Sequence, residues 1–143
     1  MLIAGSCHCG NISFQLHWLP EPTEITARSC TCTFCTKHGG VWTACPNGEL
    51  KGLIQEPARR SRYTFGTKTA DFHVCSNCGA VPVVTSQIDG ATYAVVNVNA
   101  FEGVDSSLVT RAPVNFDGED EKVRLARRKR NWIGRVTFRE GDA

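Results

Sequence analysis

The spacing of its cysteines constrains this chain more than any other feature of its sequence. Seven of the eight cysteines form three short motifs, which are C-x-C (Cys7 and Cys9), C-x-C-x-x-C (Cys30, Cys32 and Cys35) and C-x-x-C (Cys75 and Cys78). Closely spaced cysteines are common zinc ligands, whereas disulfide frameworks belong mainly to secreted proteins. The pattern therefore predicts a protein whose distant segments are joined through zinc.

Length and charge limit the classes of partner. A chain of 143 residues suits one domain with one hydrophobic core. Sixteen Lys and Arg against fourteen Asp and Glu leave a formal net charge of +2, too small to indicate nucleic acid or a membrane surface as a partner. Half of the cations lie at residue 122 or later, directly after Glu119, Asp120 and Glu121. We interpret this part of the chain as a self-neutralised surface segment.

The sequence also predicts a location for the protein. No apolar run approaches the roughly 18 residues of a membrane span. The N-terminal residues lack the basic stretch and the long apolar stretch of a secretory signal. We therefore expect a cytoplasmic protein with no membrane segment, and the sequence makes no prediction of its oligomeric state.

Alternation of apolar and polar residues predicts a mainly β fold with little helix. The clearest strand runs from Ile12 to Trp18 and is ended by Pro20. An Asp89-Gly90 turn predicts a hairpin of residues 80–87 and 91–99. Residues 52–60 are predicted to be a loop or a sheet edge, and residues 119–130 carry a weak helical stripe of Val123 and Ala126. Other short strands are predicted at 25–29, 41–45, 62–65, 72–75 and 114–116.

Seven clustered cysteines supply one closed site of four ligands and leave three over. Structural zinc sites nearly always have four protein ligands, whereas a site with three keeps a position for water or substrate. The C-x-x-C pair with Gly79 directly after it has the form of a zinc knuckle, so it belongs to the closed site. Spacing alone leaves open which C-x-C unit completes that site.

Taken in this order, the motifs resemble the glutathione-dependent formaldehyde-activating (GFA) family, which includes centromere protein V. The segments that carry the resemblance are GSCHCGNISF from Gly5, CTCTFCTKHG from Cys30, CSNCG from Cys75, FEGVD from Phe101 and NFDG from Asn115. The resemblance implies a tent-like pair of antiparallel sheets stapled by zinc. It covers about residues 3–118, so we expect a zinc domain at 1–118 and a basic C-terminal extension of the same domain at 119–143.

The resemblance also implies two zinc ions per chain with different roles. A structural zinc would be bound by Cys7, Cys9, Cys75 and Cys78, and a catalytic zinc by Cys30, Cys32 and Cys35. The reaction that names the family joins formaldehyde to glutathione and gives S-hydroxymethylglutathione. The expected function is thus that of a carbon–sulfur lyase or synthase acting on a small thiol adduct, with glutathione as the candidate thiol.

The ligand set fits that chemistry. Three thiolates leave zinc(II) with a formal charge of −1, which suits deprotonation and binding of a substrate thiol better than activation of water. Cys30, Cys32 and Cys35 are then the catalytic ligands, and Lys37 is expected to help hold an anionic substrate. Thr36 stands where the family often has arginine, a change that touches no zinc ligand.

Several alternatives stay open. The second cysteine group is a second structural site if His38 or His73 supplies a fourth ligand. The chain is a zinc-stabilised binding module without catalytic activity if zinc only shapes its surface. A redox enzyme similar to methionine sulfoxide reductase B would need Cys45, whose apolar strand instead predicts a small buried thiol. His8 is expected to point away from the metal, and further candidates for binding carboxylates are Arg28, Arg62 and Lys68.

Overall fold

The computed structural model describes residues 1–141, which form two β-sheets, two α-helices and three short 3-10 helices. The strands are β1 (Leu2–Ser6), β2 (Ile12–His17), β3 (Ile25–Cys30), β4 (Val41–Thr43), β5 (Glu49–Ile54), β6 (Arg60–Tyr63), β7 (Asp71–Cys75), β8 (Val83–Ile88), β9 (Ala91–Asn97), β10 (Phe101–Glu102), β11 (Val109–Val114) and β12 (Arg135–Glu140). The α-helices are α1 (Thr33–His38) and α2 (Glu121–Asn131), and the 3-10 helices are Pro57–Arg59, Val98–Ala100 and Ser106–Leu108.

The strands form a five-stranded sheet of order β10-β1-β2-β5-β12 and a seven-stranded sheet of order β11-β3-β4-β9-β8-β7-β6. The predicted mainly β fold with a pair of sheets is confirmed. Most neighbouring strands are antiparallel, as expected. Each sheet is nevertheless mixed, because the edge strand β11 pairs in parallel with β3 and the edge strand β12 pairs in parallel with β5.

The main hydrophobic core lies between the two sheets. Ile12, Phe14 and Leu16 alternate inward along β2 and pack in one cluster with Val83 and Val96 of the seven-stranded sheet. This confirms the strand predicted from residue 12. The predicted hairpin is confirmed as well, since β8 and β9 pair directly and both turn residues between them, Asp89 and Gly90, have positive φ.

A glycine explains why one strand escaped prediction. Residues 52–54 belong to β5, which lies between β2 and β12 inside the five-stranded sheet, so the prediction of a loop or edge there is wrong. Leu50 and Ile54 are fully buried, but Gly52 between them interrupts the apolar alternation. A Cβ on Gly52 would collide with the ring of Phe138 in β12. The glycine is therefore needed where the aromatic ring crosses the strand.

The C-terminal residues are built into both layers. Strand β12 extends the five-stranded sheet, and α2 contacts β8 of the seven-stranded sheet. The predicted division at residue 118 stays a prediction, and Asp142 and Ala143 of the proposed extension lie outside the described residues. No helix within residues 1–141 is both long enough and apolar enough to cross a membrane.

Helix α2 confirms the weak helical prediction but turns a different face inward. Val123, which was expected to lie on the apolar seam, is 52% exposed, and Ala126 is also exposed. The residues that turn towards the rest of the protein are Arg124, Leu125, Arg127 and Arg128. The helix thus presents cations, and not an apolar stripe, to the interior.

Candidate metal centres and the adjoining cavity

The first thiol group joins the two sheets. Cys7 follows β1 of the five-stranded sheet and Cys75 ends β7 of the seven-stranded sheet. The Sγ atoms of Cys7, Cys9, Cys75 and Cys78 all lie within 4.8 Å of one another. Cys9 Sγ is 3.8 Å from Cys7 Sγ and 3.5 Å from Cys75 Sγ. Zn–S bonds of about 2.3 Å at tetrahedral angles place sulfurs about 3.8 Å apart, so the four thiols fit zinc.

Backbone N–H groups around the first group donate hydrogen bonds to its sulfurs, which stabilises thiolates. The N–H of Ile12 donates to Cys7 Sγ at 3.3 Å, and the N–H of Cys78 donates to Cys75 Sγ at 3.5 Å. A hydrogen bond with Asn77 lowers the pKa of the Cys9 thiol to about 6. Burial raises the pKa of Cys7 to about 12. A buried thiol of this kind ionises when a metal ion takes the place of its proton.

The second thiol group is assembled at the start of α1. Cys30 ends β3, Cys32 is the N-cap of the helix and Cys35 lies within its first turn. Their Sγ atoms lie within 4.8 Å of one another. Cys32 Sγ accepts the N–H of Cys35 at 3.4 Å, as a serine or threonine oxygen does at an ordinary cap. This helix was not predicted, because its capping residue is a cysteine and it is only six residues long.

Hydrogen bonds within the second group shift the pKa values of Cys30 and Cys35 in opposite directions. Hydrogen bonding with the Cys35 thiol lowers the pKa of Cys30 to about 5, and the same interaction raises the pKa of Cys35. The indole N–H of Trp42 donates to Cys35 Sγ at 3.4 Å. The thiol of Cys30 therefore ionises more readily than that of Cys35, and the sulfur of Cys35 accepts a hydrogen bond from a neutral donor.

No fourth ligand joins the second group from the described part of the chain. Within residues 1–141, its only members at ligand spacing are the three cysteines. His38 packs against the rings of Phe34 and Trp42. The other proposed histidine, His73, is buried in β7, where its Nε2 is bonded to Thr85 Oγ1 at 2.7 Å. Neither histidine completes the site, so the described residues supply three thiols at ligand spacing and no fourth ligand.

A cavity of about 140 Å³ opens beside the second group. Cys30, Cys32 and Cys35 form part of its wall. Most of the remaining wall is aromatic or aliphatic, and the residues concerned are Trp42, Phe65, Ala70, Phe72, Val84, Val95, Val114, Phe116 and Trp132. A substrate bound at the open position would thus lie against apolar side chains.

Cations from two elements also line the cavity. Arg28 of β3 and Arg124, Arg127 and Arg128 of α2 line the cavity, together with Asp117. The self-neutralisation expected for this segment is found, since Glu119 pairs with Arg124 and Arg127, but the expected surface position is wrong for these three arginines. Sequence reasoning did not find them as site residues, and the signal it could have used is their i, i+3 and i+4 spacing on one helix face.

The arginines of α2 differ in their partners. Glu119 accepts from Arg124 Nε at 3.3 Å and from Arg127 Nη2 at 3.1 Å, and the hydrogen bonds from Arg127 lower the pKa of the Glu119 carboxyl. The guanidinium of Arg127 also lies 3.6 Å from the centre of the Phe116 ring. Arg128 has no such carboxylate, and burial lowers its pKa to about 10. Burial also lowers the pKa of Arg28.

The other predicted residues lie away from the cavity. Lys37 is exposed on the last turn of α1 and does not line the cavity, so its role in holding substrate stays a prediction. Arg62 and Lys68 do not line it either, and His8 is exposed. Cys45 is 4% exposed, and its thiol donates to the carbonyl of Leu19 at 2.9 Å. A small buried thiol is confirmed there, which argues against a redox role.

Comparison with known proteins agrees with this geometry. The family described as glutathione-dependent formaldehyde-activating enzyme matches residues 2–114, which include both thiol groups. The chain belongs to the GFA family.

Individual GFA relatives are distant. A Halomonas elongata protein, provisionally named as a glutathione-dependent formaldehyde-activating enzyme, is 28% identical over 87 residues. The match covers 56% of this chain and 54% of that protein, so the chain spans about half the length of the curated relative it matches. A crystal structure of a Rhodobacter sphaeroides protein superposes with a TM-score of 0.52 at 26% identity, covering 73% of this chain and 92% of the other.

Proposed function

We propose that this GFA-family chain is a zinc-dependent enzyme that makes and breaks a carbon–sulfur bond between a small thiol and an aldehyde. One observation carries the proposal. Three thiols at ligand spacing form a wall of an apolar cavity, and no fourth side chain of residues 1–141 completes them. A structural site would be closed, as the group containing Cys7 and Cys75 is, whereas an open site beside a cavity has room for a substrate.

Zinc bound to Cys30, Cys32 and Cys35 would supply one position at which a substrate thiol is held as a thiolate. The chain's own residues provide the rest of the site. Trp42 fixes the sulfur of Cys35 by a hydrogen bond, and the N-cap interaction fixes that of Cys32. The apolar wall, which includes Phe72 and Trp132, limits the access of water that would compete with the thiol for the aldehyde.

The proposed reaction is balanced without a redox partner. The thiol loses its proton on binding, its sulfur forms a bond to the aldehyde carbon, and the carbonyl oxygen takes up a proton. Reversal of these steps cleaves the adduct. The family description makes glutathione and formaldehyde the first pair of substrates to test.

The other zinc is proposed to be structural. Cys7, Cys9, Cys75 and Cys78 form a closed set that links the two sheets, and Cys9 and Cys75 are separated by 66 positions in the sequence. All eight cysteines are free thiols, which supports a reducing compartment such as the cytoplasm. The proposed partner is a small thiol, and nucleic acid is not proposed as a partner.

NMR exchange spectroscopy tests the proposed function. The zinc-loaded chain should speed exchange of ¹³C label between free formaldehyde and its thiol adduct, and Cys32→Ser should abolish that acceleration while the protein stays folded. Cys45→Ser is the matched control, because it removes a buried cysteine outside both groups. If neither wild-type protein nor Cys45→Ser accelerates exchange with glutathione or with simpler thiols, the alternative of a zinc-stabilised binding module replaces this proposal.

A further inference from the structure

We propose that the substrate thiol carries a carboxylate on a compact apolar body, and that Arg128 binds this carboxylate with help from Arg28. The inference rests on the proposed function and narrows its substrate class. It depends on the partners of Arg128, on its position in the cavity wall and on the composition of that wall.

Arg128 is a buried cation without an anionic partner. The residue is only 8% exposed. Its Nη1 donates to Thr69 Oγ1 at 2.8 Å and to Ser86 Oγ at 3.2 Å, and both acceptors are neutral hydroxyls. Its buried Nε has no hydrogen-bond partner in the described part of the chain. Among residues 1–141, no carboxylate forms a salt bridge with Arg128.

Such an arrangement is costly unless an anion completes it. Buried charges in proteins are nearly always paired, because loss of hydration is not offset by neutral hydrogen bonds alone. A guanidinium offers a planar set of donors that matches a carboxylate in two parallel hydrogen bonds. The Trp132 ring, 5.0 Å from the guanidinium carbon, helps to hold it in place. The two hydroxyls and the Trp132 ring therefore hold the guanidinium in one orientation in the wall of the cavity.

Arg28 supplies a second cation to the same cavity. It lies two residues before Cys30 on β3 and lines the cavity with Arg128. Like Arg128, it forms no salt bridge within residues 1–141. Arg124 and Arg127 line the cavity as well, but Glu119 already binds both of them. The cations left for a ligand are thus Arg28 and Arg128.

The rest of the cavity limits the size and polarity of the ligand. Its volume of about 140 Å³ is below the roughly 300–1,000 Å³ of pockets that enclose drug-sized ligands. Aromatic and aliphatic side chains, including Trp42, Val84 and Val95, line the same cavity as the cysteines and the arginines. A tripeptide thiol would have to leave polar groups against this wall or extend out of the cavity. A short mercaptoalkanoate places its sulfur at one end and its carboxylate at the other.

A competing explanation is that Arg128 only offsets the negative charge of the thiolates in the same cavity. The two explanations differ in one measurable property. If Arg128 serves the thiolates alone, a thiol binds equally well with or without a carboxylate. If Arg128 binds the ligand, removal of the ligand's charge weakens binding.

Calorimetric titration of the zinc-loaded full chain separates them. The probes are 3-mercaptopropionate, its neutral amide and glutathione, and the variants are Arg128→Gln, Arg128→Lys and, as a control on the exposed side of α2, Arg130→Gln. We expect 3-mercaptopropionate to bind about 10-fold or more tighter than the amide, as charge-assisted hydrogen bonds require. The preference for the acid over the amide should be unchanged in Arg130→Gln and weaker in Arg128→Lys. In Arg128→Gln it should fall to about twofold or less, because the charge-assisted hydrogen bond is lost.

The outcomes distinguish this inference from the function on which it rests. Equal affinity of wild-type protein for the acid and the amide would overturn the carboxylate site while leaving thiol chemistry intact, and this comparison needs no variant to fold. Tighter binding of glutathione than of 3-mercaptopropionate would overturn the compact substrate. Failure of all three thiols to bind a chain that holds two zinc ions would overturn the proposed function and this inference together.

Discussion

Trp42 donates its indole N–H to the sulfur of Cys35 at 3.4 Å, and this bond ties helix α1 to strand β4 at the centre of the candidate active site. Cys35 is 3% exposed and Trp42 is 6% exposed. The sulfur therefore has a fixed neutral donor in a site that water reaches poorly. Donors of this kind orient a metal ligand and reduce its negative charge.

Replacement of Trp42 by phenylalanine should weaken metal binding at the second site while the fold is kept. The variant keeps an aromatic ring against Phe72 but loses the donor to Cys35. Loss of a hydrogen bond to a metal ligand typically costs about 10–100-fold in affinity, and we expect a change of about that size in competition with a colorimetric chelator. Trp18→Phe is the control, since Trp18 packs at the main core. Unchanged zinc affinity in Trp42→Phe would show that the bond does not support a ligand.

The two thiol groups should differ in their contribution to stability. Cys75→Ser removes a sulfur that joins the two sheets, and we expect the variant to lose most of its stability, since structural zinc stabilises the fold directly. Cys32→Ser should release about one of two zinc ions and melt within a few degrees of the wild type. Circular dichroism melts with parallel metal analysis measure both effects. Equal losses of stability in the two variants would mean that both sites are structural.

Much of this site could be predicted from the sequence because short motifs place their ligands locally. Cys7 and Cys9 are two residues apart, as are Cys30 and Cys32, so few backbone conformations are needed to bring their sulfurs together. The Asp89-Gly90 turn predicted its hairpin for a similar reason, since both residues adopt the positive φ that the turn requires. Local geometry determines these features.

The arginines of the cavity could not be predicted in this way. A helix is expected to bury its apolar stripe, but α2 exposes Val123 and turns Arg124 and Arg128 inward. That choice depends on distant residues, namely on Thr69 and Ser86 as acceptors for Arg128. Strand β5 was missed because Gly52 interrupts the alternation of apolar and polar residues along it. The glycine is needed because the ring of Phe138, 86 residues later in the sequence, occupies the space of a Cβ.

Gly52→Ala should destabilise the protein although it adds one methyl group. The new Cβ would meet the ring of Phe138 inside the five-stranded sheet, and overpacking of this kind costs about 1–3 kcal/mol in the free energy of unfolding. Gly134→Ala is the matched control, because its Cβ would make only ordinary contact with Tyr93. Urea denaturation of the zinc-loaded variants measures the difference. A Gly52→Ala variant as stable as Gly134→Ala would contradict the packing described.

The ion pairs of Glu119 should appear in the acid dependence of stability. Arg127 and Arg124 lower the pKa of the Glu119 carboxyl. Its stabilising effect is therefore complete above the pKa of an unfolded glutamate, about 4.3, and is lost as the pH falls below that value. Glu119→Gln should be less stable than wild type at pH 6, and the difference should shrink below about pH 4.3. Chemical denaturation at several pH values tests this, and a difference that stays constant down to pH 3 would contradict it.

In the proposed function, a metal ion at Cys30, Cys32 and Cys35 keeps one position for a substrate sulfur. The most direct measurement is the visible spectrum of a chain whose more readily removed zinc has been replaced by cobalt(II), recorded before and after addition of 3-mercaptopropionate. We expect the sulfur-to-cobalt charge-transfer band to grow by about one third, as three thiolate ligands become four. A spectrum that does not change at saturating thiol would contradict it, because it would mean that the metal has no position for the substrate sulfur.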